Sequence, residues 1–410
     1  MFDPADMVFA IPDDDLTYYS PLPETADCLS CGLCLHTCPT FTLFASQEET
    51  PRSRVRTLRK ILFDKQSISA TEREHLDNCL QCRACETVCP SKMSYAAQFD
   101  QAQAQLAQPP SLFAKLALTL IAHKTWRSRL MPSLAFYLRS GLQQPIRRSG
   151  LLKKLGLAEA EALLTNPVLK PLATHYPSTR RKLGQVALFT GCITEHFDRA
   201  SLHAAIQLLN AIGYDVIIPL SQGCCGAIHQ HNGFNATALI KNNIAIFNAL
   251  NVDAVVFTTT GCGAMLSEYE IEDTSAADKF KQRLQDILDF LLEHWPDDFT
   301  LKPLAEKIAI HEPCSQRNVL KNQQTVYALL AKIPALEVIP LADNALCCGA
   351  AGTYQLTHPE NAQQLCKLKQ QVIKTAGVTQ VISSNYACAA FLNTEHNSVT
   401  HPLQILAQQL

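Results

Sequence analysis

The sequence predicts an α/β protein with an α-helical N-terminal part, a helical connector and two pseudo-twofold-related parallel β/α lobes. Three observations carry this. Eight of the 17 cysteines crowd into two short runs before residue 90, and none follows until Cys192. From Gln101 to Ala158 the chain has helical spacing, nine basic residues and no acidic one. Beyond residue 185 a pattern of strand, helix and cysteine is used twice, 122–126 residues apart. A length of 410 residues leaves ample room for buried cores. The expected divisions are an N-terminal domain (1–100), a basic helical connector (101–184) and two lobes (185–303 and 304–410).

Hydrophobic residues at 47% and charged residues at 18% exclude a disordered or fibrous chain. Lys+Arg 35 against Asp+Glu 37 leaves a formal charge of -2, so no nucleic-acid partner is expected. The start, MFDPADMVFAIPDDD, has early acids and no basic n-region, unlike a secretory signal. The expectation is a cytoplasmic protein, where thiols serve metals or redox chemistry rather than structural disulfides. The best apolar stretch, Leu112 to Ala122, is interrupted by Lys115 and is shorter than the ~20 residues a membrane span needs.

The first run reads Cys28-Leu-Ser-Cys31-Gly-Leu-Cys34-Leu-His-Thr-Cys38-Pro39, the second Cys79-Leu-Gln-Cys82-Arg-Ala-Cys85-Glu-Thr-Val-Cys89-Pro90. Both are C-x2-C-x2-C-x3-C-P, the ferredoxin spacing for 4Fe–4S clusters, in which the fourth cysteine ligates the other cluster. One cluster is therefore expected on Cys28, Cys31, Cys34 and Cys89, and a second on Cys79, Cys82, Cys85 and Cys38. C-x2-C pairs also serve zinc, but two zinc sites need neither a third evenly spaced cysteine nor C-x3-C-P twice. Between the runs, Pro51-Arg52-Ser-Arg54-Val-Arg56 enters a basic helix. Its arginines could damp cluster charge or meet an acidic partner; the plainer expectation is a solvated helix face.

In the connector, Lys115, Lys124, Arg127, Arg129, Arg139, Arg147, Arg148, Lys153 and Lys154 interleave with Phe113, Trp126, Leu130, Phe136, Tyr137 and Leu142. Such a stretch suits an anionic bilayer surface, or helices packed on the protein or on a partner subunit. Leu163 to Gly184, with three prolines and a basic end, reads as a linker.

Each lobe reads β-α-β-α-β. Strands fall at Val186–Phe189, Asp215–Leu220 and Ala254–Thr258, then at Ile308–Ile310, Leu336–Leu341 and Gln380–Ser383. Every cysteine follows the carboxyl end of a strand, where parallel sheets place their sites. Cys192, Cys224, Cys225 and Cys262 are thus expected to converge in the first lobe, and Cys314, Cys347, Cys348 and Cys388 in the second. Either set could hold a further iron–sulfur cluster, a metal with an open position, or a redox dithiol pair. Gly226 and Gly349 would allow the tight turn after each Cys pair. His229, His231, His311 and His358 lie near these motifs and could add a ligand, though a surface or hydrogen-bonded role is the expectation for each. Cys366 reads as a core thiol.

Together these motifs resemble the iron–sulfur subunits of membrane-linked 2-hydroxyacid dehydrogenases, and most of all the glycolate oxidase (glycolate dehydrogenase) iron–sulfur subunit. The likeness runs from Cys28 to His401. It includes Pro51-Arg52, Gly223-Cys-Cys-Gly-Ala227, Thr260-Gly-Cys-Gly-Ala264, Cys347-Cys-Gly-Ala-Ala-Gly-Thr-Tyr354 and Leu356-Thr-His-Pro359. It implies electron transfer from FAD on a partner subunit towards a quinone, with possible peripheral contact at the inner face of the cytoplasmic membrane. Related architectures serve D-lactate and glycerol-3-phosphate oxidation and heterodisulfide reductase. In the last, the unit ends C-x2-C and holds a non-cubane cluster; here Thr259 and Asn385 stand at the penultimate positions, which argues against direct disulfide reduction. No G-x-G-x-x-G or P-loop signature occurs, so the chain is not expected to be catalytic alone. A non-redox assembly scaffold is the rival from another class.

Overall fold

The computed structural model describes residues 28–107, 112–154, 157–162, 164–378, 380–395 and 397–410. The acidic start, with the signal-peptide reading that rests on it, lies outside the described residues, as does the side chain of Phe113.

In the first domain the helix Pro51–Leu62 starts where the Thr50 hydroxyl accepts the Ser53 amide and Pro51 occupies the first turn. Residues 51, 54, 55, 58, 61 and 62 recur at three- and four-residue intervals and form one buried face. Val55, Leu58, Ile61 and Leu62 meet Leu76, and Tyr95, Phe99 and Ala102 from the helix Tyr95–Leu106. Burying Leu58 completely contributes roughly 1.5–3 kcal/mol. The expectation of a solvated basic face is corrected at one position: Arg54 falls on the apolar stripe and is 2% exposed.

The connector consists of helices Leu112–Ala122 and Lys124–Arg139 and the shorter Gln143–Arg148, Leu151–Lys154 and Ala158–Ala162. Its inner side buries Leu118, Ala122, Met131 and Ala135. Lys124 and Arg127 both pair with Glu195 of the first lobe, at 2.9 and 3.3 Å. Leu116, Trp126, Leu130 and Phe136 stay exposed on the outer side. The proline-rich linker contributes a strand of its own. Its strand β1 (His175–Tyr176) pairs antiparallel with the edge of the first sheet, which satisfies backbone groups the edge would otherwise expose.

That sheet contains β2 (Gly184–Phe189), β3 (Tyr214–Ile217), β4 (Ala254–Phe257) and β5 (Leu284–Asp286) in the order β1-β3-β2-β4-β5, all parallel except β1. The second contains β6 (Lys307–His311), β7 (Glu337–Pro340), β8 (Gln380–Ser383) and β9 (Ser398–Thr400) in the order β7-β6-β8-β9, all parallel. The predicted strands are all present. The fourth parallel strand of each sheet escaped the sequence pattern, because Leu-Gln-Asp and Ser-Val-Thr are too short and polar to register as apolar runs. The central strands are continuous apolar segments, as burial on both faces requires.

The lobes share a core. The helix Arg199–Ala211 of the first packs on Pro402–Gln408 of the second, and Ile287–Glu293 of the first packs on Gln323–Leu330 of the second. One apolar cluster accordingly runs from Val186, Leu188 and Val256 to Ile308, Ile310 and Ile382.

Candidate metal centres

The eight cysteines of the first domain gather around two cavities. One is lined by Cys38, Cys79, Cys82 and Cys85 together with Arg54 and Tyr95. The other is lined by Cys28, Cys31, Cys34 and Cys89 together with Arg52, and Cys85 reaches its wall as well. The fourth cysteine of each run therefore lines the cavity of the other run. Cys38 stands at the start of the helix Pro39–Phe44, whose proline sets the turn. Ser30, Gly32, Gln81 and Arg83 take φ of 51°, 81°, 49° and 60°, winding the chain tightly between successive cysteines.

The donor set fits iron–sulfur clusters. Burial pushes the Cys82 and Cys85 thiols well up, and neighbouring sulfurs add to it. Thiolates crowded this closely are stable only around a cation. Burial raises Cys79 too, against the opposing pull of Arg54. Two donors reach the Cys79 sulfur, the Tyr95 hydroxyl and the Gln81 amide, each at 3.4 Å.

In the first lobe Cys192, Cys224 and Cys225 are buried, and the Cys224 thiol donates to Cys192 Sγ at 3.4 Å. That bond holds Cys224 down, but its contact with Cys225 and its burial push it up to about 12. Contact with Cys262 acts on Cys225, linking the fourth thiol to the set. Asn243 Nδ2 donates to the Cys224 carbonyl at 2.9 Å and the Tyr269 hydroxyl to that of Cys225 at 2.8 Å, which clamps the Cys-Cys turn. Ala122 of the connector packs in the same cluster as these thiols.

The second lobe differs. Cys348 Sγ donates to Cys388 Sγ at 3.0 Å, and His311 joins them in a buried group whose ligand atoms lie within 4.8 Å of one another. His311 thus stands closer to a ligand role than its sequence implied; Phe189 occupies its place in the first lobe, three residues before the first cysteine. Its Nδ1 lies 3.1 Å from Ser383 Oγ, and burial, then Lys369 and Arg317, drive its pKa well below the usual value. Cys314, followed by a stretch of π-helix (Ser315–Leu320), is pushed up to about 12 by burial and then by Cys347. Of the other histidines, His358 stacks on Tyr354 and His229 is buried. Cys366 is a buried thiol in the apolar cluster behind Cys348 and Cys388, donating to the Phe391 carbonyl at 3.4 Å.

Cys82 connects the two regions. It packs with Leu80 near Cys347, and the charges of Cys314 and Cys347 act on it. Asn318 Nδ2 donates to the Cys82 carbonyl at 2.7 Å, Gln81 Nε2 to the His231 carbonyl at 2.9 Å, and Arg83 pairs with Glu268. The second cysteine run therefore docks over both lobes.

His231 also secures this docking. Its Nδ1 lies 3.2 Å from Asp100, which further accepts Gln230 Nε2 at 3.1 Å. Burial alone would lower its pKa, but Asp100 and Glu268 outweigh burial and Arg83 and hold it above the usual value. A raised folded value means that the stabilisation is complete below the unfolded value of about 6.5 and is lost as pH rises through the folded one. The stability gap between wild type and Asp100→Asn, followed by thermal unfolding, is expected to be full below about pH 6.5 and to shrink as the pH rises above it. A gap independent of pH would show that the pair carries no proton linkage.

Comparison with known proteins agrees with this geometry. Residues 24–93 match the family described as a 4Fe-4S dicluster domain, and residues 186–267 and 308–393 each match a cysteine-rich domain. Residues 109–164 match the linker region of the glycolate oxidase iron-sulfur subunit. A probable glycolate oxidase iron-sulfur subunit of Bacillus subtilis is 31% identical over 391 residues, covering 89% of this chain and 87% of its own. The glycolate oxidase iron-sulfur subunit of Escherichia coli is 29% identical over 405 residues, covering 93% of each chain. Lactate utilization protein A of Shouchella clausii is 24% identical over 233 residues, covering 55% of this chain and 98% of its own. With a dicluster domain, this linker and two cysteine-rich repeats in one chain, the protein belongs to the family of glycolate oxidase iron–sulfur subunits.

Proposed function

We propose that this chain is the iron–sulfur electron-transfer subunit of a flavin-dependent glycolate (2-hydroxy acid) dehydrogenase complex, carrying electrons from FAD on a partner subunit towards a quinone. The observation that carries the reading is the pair of four-cysteine cavities, one of which adjoins the thiols of the second lobe through Cys82. Cys28, Cys31, Cys34 and Cys89 hold one 4Fe–4S cluster, and Cys79, Cys82, Cys85 and Cys38 hold the other. When bound, such clusters take up and release electrons singly, which suits a flavin that receives them in pairs. The chain's own contribution is to hold the two four-cysteine sites side by side, with Cys85 lining both cavities. Oxidation of the organic substrate falls to the partner, so the chain is not catalytic alone.

The cysteines of the two lobes form a further cluster, metal or redox thiol site. We assign the domains as 1–100, 101–184, 185–303 and 304–410, with the lobes related by a pseudo-twofold axis. Reciprocal packing supports that relation, since the first helix of each lobe meets the last helix of the other. The protein works in the cytoplasm, peripherally on the inner face of the membrane. Exposed Leu116, Trp126, Leu130 and Phe136 among basic residues support this placement, with ~1 kcal/mol gained per basic residue at an anionic surface. No helix among the described residues is long and apolar enough to cross a membrane.

The test is anaerobic purification from native cells, with flavin, iron and acid-labile sulfide analysis and substrate-driven bleaching of cluster absorbance. A flavoprotein partner, at least about eight irons per chain and fastest bleaching by glycolate are expected. The likeness to lactate utilization protein A supports lactate as the rival substrate, tested as D-lactate with glycerol-3-phosphate alongside; faster bleaching by either would reassign the substrate. Absence of flavin and of bleaching would favour a disulfide reductase or a scaffold.

A further inference from the structure

We propose that Arg54 sets the two clusters of the N-terminal domain at unequal potentials, by holding a buried positive charge against the Cys38/Cys79/Cys82/Cys85 site that the other site lacks. The inference rests on the two-cluster reading above.

Arg54 reaches the inner cavity from the buried stripe of its helix. Its Nη1 donates to Thr40 Oγ1 and the Glu49 carbonyl, each at 2.9 Å, and lies 3.7 Å from Cys38 Sγ. Nε donates to the His75 carbonyl at 2.6 Å, and Nη2 pairs with the Glu49 carboxylate. A guanidinium keeps its charge at any working pH, and here its nitrogens are paired with Thr40, Glu49 and the His75 carbonyl. Glu49 does not cancel the effect. It sits on the opposite nitrogen and shares its own charge with Asn78 Nδ2 at 2.8 Å and His75 Nδ1 at 2.7 Å. The pair is thus a dipole with its positive end towards the sulfurs. Tyr95 and Gln81 add two donors aimed at Cys79.

The outer site is built differently. Its arginine, Arg52, is partly solvated and turned to Gln47 Oε1 at 2.8 Å. Among the described residues no side-chain donor reaches the sulfurs of Cys28, Cys31, Cys34 or Cys89. Reduction adds one electron and moves no proton, so it deposits negative charge. A buried cation and sulfur-directed donors favour that charge, whereas a solvated cation is screened. Burial and the sulfurs of Cys314 and Cys347 oppose that charge at the inner site, and Arg54 and Tyr95 offset them, holding this site above the potential its burial alone would give.

The test is a redox titration of the intact purified complex with dithionite, monitored by electron paramagnetic resonance. Two separable one-electron steps are expected from the two sites. Arg54→Gln should lower one of the two steps by at least tenfold in its equilibrium constant, which is about 59 mV for one electron, while the other step stays in place. Tyr95→Phe should move the same step the same way by less. If Arg54→Gln loses iron, Tyr95→Phe decides alone. Unmoved steps in variants that retain about eight irons, or a common shift of both steps, would overturn the proposal. A wild-type chain without about eight irons would instead overturn the two-cluster reading.

Discussion

Cys38→Ala is expected to empty the site of Cys79, Cys82 and Cys85, although Cys38 belongs to the other run. Cys38 lines the inner cavity with those three thiols, while Cys89 of the second run lines the outer one. Removing Cys38 leaves three thiolates and an open iron, so iron in the N-terminal domain should fall from about eight to about four per chain. Cys89→Ala should give the same loss from the other site. Iron content alone does not separate the two variants, but the surroundings do. In Cys38→Ala the surviving cluster should ignore a further Tyr95→Phe, because Tyr95 donates to Cys79 at the site now lost. In Cys89→Ala the surviving cluster should shift with it. The reverse result would mean that each run binds its own cluster.

The second large effect concerns the backbone behind the Cys-Cys turns. Gly349 has φ of +88°, and a Cβ there would lie 2.4 Å from the Ala362 carbonyl oxygen, in the helix Pro359–Ala376. A left-handed alanine costs about 1–2 kcal/mol, and displacing packed backbone adds roughly 1–3 kcal/mol. Gly349→Ala should therefore destabilise the protein by roughly 2–5 kcal/mol and loosen Cys347 and Cys348. Gly226 in the first lobe has φ of +90° but meets side chains rather than backbone, the Ala236 methyl at 3.1 Å, the Met265 methyl at 3.7 Å and Leu239 Cβ at 4.0 Å. Its replacement should cost little beyond the conformational penalty. Gly352, at φ of +57° with nothing within 4 Å of the added atom, should be the mildest. Unfolding by denaturant should rank the variants Gly349→Ala, Gly226→Ala, Gly352→Ala from most to least damaging, and a reversed order would refute the steric argument.

Much of this protein is legible in one dimension. The C-x2-C-x2-C-x3-C-P runs announce a two-cluster domain because three thiols two residues apart can wrap one cluster while a proline-stopped fourth points elsewhere. The duplicated strand, helix and cysteine pattern announces two parallel sheets, because strands buried on both faces must be continuously apolar. Even Arg54 left a trace: it stands three residues after Pro51 and four before Leu58, on the stripe that packs inward. Its charge suggested solvent, and only the Glu49, Thr40 and Cys38 partners found in the fold make its burial tolerable.

Other features have no local signature. β5 and β9 exist because a sheet edge is there to receive them, and β1 pairs only because β3 runs past it. That Cys82 adjoins Cys314 and Cys347, and that His311 joins Cys348 and Cys388, depends on how segments far apart in the chain settle against one another. Spacing determines which thiols can share a loop, since a few covalent bonds limit their reach. Which loops then face each other is a property of the shared core, where the helices of one lobe bury their apolar faces against those of the other.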